Sequence, residues 1–186
     1  SSQSFNEASQ DVSLTLGSGT NEVYFENQLN NGDSVTATAG SDDTVFAHIT
    51  TALTSTTGAL DLDGVETLDF TTNKANTLDF ANVTGLDNFV LNDAGGTNKQ
   101  TIKNFDLNDG LELKSAANIE IAAANAGGDS DSITVDTNVG GQHRVQLTEV
   151  NFTNSSTGVG GDFDSYTPNP LQDFRTAYTN INANTN

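Results

Sequence analysis

The sequence predicts an all-β fold, a β-roll or β-helix-like stack or a β-sandwich, with a short C-terminal helix. Three observations carry that expectation. Residues 60–69 and 78–87 share the pattern Leu-Asp-apolar-x-x-Val-x-x-Leu-Asp, eighteen residues apart, and a repeated supersecondary unit marks stacked architectures. Only 34% of the 186 residues are hydrophobic and none is Trp, so the apolar side chains must run as single-file stripes between polar neighbours, as they do in stacked repeats. Those stripes alternate with period two through Thr-rich stretches bounded by Gly, Asn, Asp and Ser, which is the grammar of strands and turns.

Taken in order, residues 1–11 are polar and read as a flexible N-terminal arm, 12–165 as one all-β domain and 166–186 as a tail. Val12, Leu14 and Leu16 alternate with Ser13 and Thr15, Gly17-Ser18-Gly19 turns the chain, and Val23-Tyr24-Phe25 follows as a second strand. Val35 opens another strand and Val45 to Ile49 forms the next. The repeat segment spans 60–92. Over 101–113, the strand Thr101 to Phe105, the turn Asn108-Asp109-Gly110 and the strand Leu111-Glu112-Leu113 read as a hairpin-like element. Ile119-Glu120-Ile121 alternates within an Ala-rich stretch, and Ser132 to Asp136 and Arg144 to Phe152 are further strands. Near the end, Asn169 is a capping residue, Pro170 takes the first helical position and Gln172 the third. Leu171, Phe174, Tyr178 and Ile181 then share one face, which predicts an amphipathic helix over about 170–181.

Charge narrows the partners. The chain carries 25 acidic against 6 basic residues, a formal net charge of -19, and residues 1–73 hold no Lys or Arg. Self-repulsion of that size destabilises a compact state unless something neutralises it. A divalent cation does so economically; the plainer account is an acidic surface that keeps the chain soluble. Nucleic acid is excluded as a partner, because binding it needs a basic stripe. With no Cys there is neither a disulfide framework nor a thiolate metal site. The absence of Met is read as a chain processed or cut from something longer. No apolar run approaches the length of a transmembrane helix, and no signal-peptide pattern opens the chain.

Catalysis has little to stand on, and the chain is read as a non-enzyme with no catalytic residue. His48 and His143 fall in expected strands beside no nucleophile motif, and carboxylates are too common to single out a glycosidase pair. The Gly-rich turns lack the Lys-Ser/Thr of a phosphate-binding loop.

Calcium is the chemistry the turns suit best. It takes about 6–8 oxygen ligands at about 2.3–2.6 Å, and turns rich in Gly, Asp and Asn supply them. The candidates are Asp42 and Asp43 after Gly40, Asp61 and Asp63 before Gly64, Asp129 and Asp131 after Gly127-Gly128, and Asp162 and Asp164 after Gly160-Gly161. Stacking at the eighteen-residue step would add Asp79 above Asp61 and Asp87 above Asp69, on strands about 4.8 Å apart. Like charges so placed repel, so cations or open water must separate them.

Family resemblances enter at these same residues. Leu16-Gly17-Ser18-Gly19-Thr20-Asn21-Glu22-Val23-Tyr24 resembles the calcium-binding nonapeptide of RTX proteins, with Asn21 at the ligand Asp position. Gly64-Val65-Glu66-Thr67-Leu68-Asp69-Phe70 resembles the Val-Glu-Thr-Leu phrases of RTX-type bacterial surface-layer proteins, and 101–152 is similar to the C-terminal target region of type I secreted surface proteins. The resemblance implies an extracellular, cell-surface structural protein, a calcium-stabilised subunit that self-assembles as a homo-oligomer into a lattice or filament. The alternative is an adhesin-type binding module that recognises a glycan or another surface. Such a site usually exposes aromatics, and with no Trp and three Tyr the supply is thin.

Overall fold

The computed structural model describes residues 1–6, 8–38, 40, 42–94, 98–115 and 118–124, and the strands over 134–137, 142–149 and 181–182. Among them the chain alternates between two sheets. The odd strands are β1 (Ser2–Phe5), β3 (Glu22–Phe25), β5 (Thr44–Ile49), β7 (Thr67–Thr72), β9 (Asn88–Asp93), β11 (Gly110–Leu113) and β13 (Thr134–Thr137), and they stack in that order. The even strands are β2 (Ser13–Thr15), β4 (Ser34–Thr36), β6 (Ala59–Asp63), β8 (Asn76–Thr84), β10 (Lys99–Phe105), β12 (Asn118–Ala123) and β14 (Gln142–Glu149), stacked likewise in a second sheet. Each circuit of the chain lays one strand in each sheet, which makes a β-solenoid and resolves the sequence expectation in favour of the β-helix-like form.

Period-two alternation explains why the sheets face each other. Val23, Val45, Leu68, Phe89 and Leu111 lie side by side across the odd sheet and point inward, as do Phe25, Ala47, Phe70, Leu91 and Leu113. Leu62, Leu78, Ile102 and Ile121 supply the facing layer from the even sheet. Phe80 sits between Phe89 and Phe105 at ring-centroid distances of 5.2 and 5.5 Å, and Phe70 meets Phe89 at 6.1 Å. These edge-on contacts each add about 0.5–1.5 kcal/mol beyond area burial. Leu16, Val65, Leu86 and Leu107 close the core where the chain passes from an even to an odd strand, and Leu29 and Leu53 close it at the opposite corner.

The repeat is real, but its step differs from eighteen residues. Leu62 aligns with Val83 and Leu68 with Phe89, a step of 21. Gly64 and Gly85, also 21 apart, both adopt positive φ, +71° and +77°, at the same corner. The echo therefore pairs the right units three residues out of step. A bulge between Ala59 and Asp61 moves the even-strand step from 20 to 21. In consequence Asp61 lies beside Asn82, Asp79 beside Ala59 and Lys103, and Asp69 between Phe46 and Val90. The expected carboxylate-on-carboxylate stacks do not form.

Other expectations meet the same topology. The segment 101–113 is not a hairpin, because β10 and β11 belong to different sheets and pair in parallel with strands of neighbouring turns. Ser2–Phe5, inside the segment read as an arm, forms β1 against β3. The described residues contain no helix. The helix expected over 170–181 lies outside them except for Ile181, which opens β15 (Ile181–Asn182), a short strand antiparallel to β14.

Candidate functional site

Each turn of a solenoid leaves backbone amides at its corners, and buried amides need partners. At the even-to-odd corner Asp43 and Glu66, each just before an odd strand, supply them on two successive turns. Asn21, Asp43, Glu66, Asp87 and Asp109 occupy that position on successive turns. The Asp43 carboxylate accepts the Asn21 backbone N–H at 2.7 Å and the Asn21 side-chain amide at 2.8 Å. Glu66 accepts the Asp43 N–H at 2.7 Å. Asn21 Nδ2 also donates to the Gly17 and Gly19 carbonyls at 3.0 and 2.7 Å. An amide nitrogen thus fills the space among three oxygens.

Further along the same corner the carboxylates crowd. Asp109 is pushed up to about 7, first by burial and then by the charges of Asp106 and Asp87. The opposite corner relies mainly on neutral amide side chains, with one carboxylate, Asp33. Gln28, held at φ 92°, accepts the Thr50 and Thr51 amides at 3.2 and 3.1 Å. Asn76 accepts the Leu53 N–H at 2.9 Å and donates to Gln100 Oε1 at 3.0 Å. Asp33 accepts the Val12 and Asn30 amides at 3.0 and 2.8 Å, and burial is the leading cause that raises its pKa.

The sequence-derived calcium candidates are therefore dispersed. Asn21 and Asp43 meet in the corner just described, Asp43 almost fully buried. Asp42 is exposed beside it. Asp61 and Asp63 are exposed on the outside of the even sheet, where Asp63 accepts the Thr84 hydroxyl. Asp79 accepts the Ala81 N–H and the Asn104 amide at 2.9 and 2.8 Å. Asp69 is half-buried on the outside of the odd sheet and Asp87 stands at the acidic corner. Asp129, Asp131, Asp162 and Asp164 lie outside the described residues. Among the described residues no three His, Cys, Asp or Glu side chains converge as a metal-binding group, and no helix is long and apolar enough to cross a membrane.

A second feature lies on the outside of the odd sheet. Tyr24 and Phe46, on adjacent strands, turn outward and stack with ring centroids 4.5 Å apart and planes within 6°. Every other aromatic ring among the described residues packs into the core or against it. With Glu26, His48, Asp69 and Thr71 the pair lines an open groove of about 380 Å³, floored by Phe25 and Ala47, whose side chains point inward. The Tyr24 hydroxyl donates to Glu22 at 3.0 Å, which raises its pKa. Burial is the leading cause that raises Asp69. Sequence reasoning missed this groove, although Tyr24 and Phe46 both stand at the outward parity, between inward-facing Val23 and Phe25 and between Val45 and Ala47.

No family model, no curated protein and no solved structure matches this chain.

Proposed function

We propose that this chain is an extracellular structural protein, an acidic solenoid subunit of a bacterial surface layer or filament that calcium stabilises. The observation that carries the reading is the architecture itself. Two continuous parallel sheets, with polar side chains at both corners, make a stack with repeated contacts and an acidic surface. Among the described residues β1 and β2 end their sheets with a neighbour on one side only, and such edges pair readily with another chain.

Calcium enters through the crowded corner. Burial first, and then the charges of Asp106 and Asp87, raise Asp109, and a divalent cation near this corner would offset those two charges in the proton's place. Thermal melts and electron microscopy at pH 8, with calcium and then with chelator, test both halves. We expect a higher Tm and ordered assemblies with calcium. Identical melts and images in both conditions would remove calcium from the account; a monodisperse monomer throughout would remove assembly. The Tyr24–Phe46 groove favours a second reading, a surface-recognition module on the same rod.

A further inference from the structure

The groove on the odd sheet has a chemistry that the structural role leaves unused. Outward positions on these strands are polar as a rule: Glu22, Thr44, Thr67, Thr71, Asn88 and Glu112 hold them. Tyr24 and Phe46 break that rule side by side. Their stack contributes about 0.5–1.5 kcal/mol as a cross-strand pair, which accounts for the two rings touching each other. It does not account for what borders them. Glu26 and Asp69 bring two carboxylates into the same groove, and neither Lys nor Arg lines it, His48 being the one nitrogen base there. Residues 1–73 hold no Lys or Arg, and Lys114, whose charge reaches Asp69, is bridged to Glu112 at 2.8 Å.

We propose that this groove is a binding site for a methylated alkylammonium group, a cation whose charge is spread over methyls. The alternatives use the groove less fully. An inorganic divalent ion needs six or more oxygens and gains little from two rings, and no metal-binding group of side chains forms among the described residues. A primary ammonium is compact and strongly hydrated, so it gives up more water on entering a half-apolar groove. A neutral sugar leaves both carboxylates uncompensated. A methylated ammonium contacts ring carbons with its methyls while its charge is balanced by Asp69 and Glu26, which is the combination that aromatic-lined cation sites exploit. The groove volume of about 380 Å³ lies within the range of small-ligand sites. The inference requires neither assembly nor calcium.

Choline serves as the probe, with 3,3-dimethylbutan-1-ol, the same shape without charge, as its control. Titrations followed by proton NMR use the full chain in about 0.15 M salt, where surface attraction is screened beyond about 8 Å. We expect the choline methyl signal to move upfield from ring contact and the uncharged isostere to bind at least about tenfold more weakly. Phe46→Thr, which keeps a strand-forming residue, and Asp69→Asn should each weaken choline by about tenfold. Asp11→Asn, an exposed carboxylate outside the groove, should leave it unchanged. If Phe46→Thr melts early, Phe46→Leu keeps the bulk without the ring and gives the same answer. Equal binding of the isostere, an unaffected Phe46 variant, equal weakening by Asp11→Asn, or displacement of choline by a neutral disaccharide would each overturn the proposal.

Discussion

A single side chain shows how one corner of this solenoid is closed. Asn21 aims its amide nitrogen at Gly17 O, Gly19 O and Asp43 Oδ1, at 3.0, 2.7 and 2.8 Å. At this corner hydrogen-bond donors do the work that a cation's charge would do. Asn21→Asp replaces the donor by a carboxylate that faces three oxygens in a nearly buried setting, so repulsion and lost hydrogen bonds act together. We expect a loss of about 2–4 kcal/mol in chelator, measured by urea denaturation. Calcium in the millimolar range should restore much of that loss for the variant and little for the parent chain at this site.

At the level of elements, the corners set the register. Gly64 and Gly85 take positive φ one turn apart, and a Cβ on Gly85 would stand 3.0 Å from the Gly64 Cα. Gly85→Ala combines left-handed strain, about 1–2 kcal/mol, with that backbone contact, and we expect an unfolding free energy lowered by about 2–3 kcal/mol in total. Asn76→Ala instead strips the Leu53 amide and the Gln100 side chain of a buried partner. It should lower stability by about 1–3 kcal/mol in the same assay. These corners also explain what could be read in advance. Alternation at Val23–Phe25, Val45–Ile49 and Leu111–Leu113 made the strands legible, because an inward side chain at every second residue is a local property. The stacking step was not, since the Leu-Asp phrases match best at eighteen residues while the strands pair at 21. The polar corner residues were visible as Asp and Asn in turns. Their role was hidden, because an Asp that caps a buried amide and an Asp that binds an ion share the same sequence signature. The groove was hidden for a different reason: its lining comes from three strands some twenty residues apart.

For the whole molecule, the acidic groups govern how stability responds to pH. Asp33, Asp69 and Asp109 are all raised above the ordinary carboxyl value, Asp109 to about 7. A carboxyl that holds its proton more tightly when folded binds more protons in the native state. Its contribution is therefore greatest in acid and is lost as pH rises from about 4 toward 7. We expect a lower Tm at pH 8 than at pH 5, and Asp109→Asn should flatten that slope. With partial exposure screening it, the Asp109 share is on the order of 1 kcal/mol, or about 2–4 °C. The charge is spread along the stack, but the largest cluster of buried phenylalanines is not. Phe70, Phe80, Phe89 and Phe105 bind four consecutive strands, β7 to β10, to one another, while each strand otherwise touches mainly its immediate neighbours. Such a stack behaves as a one-dimensional chain with one strong link. Under tension, or when opening begins at an end, turns peel away singly until they reach the phenylalanines, and refolding zips outward from that point.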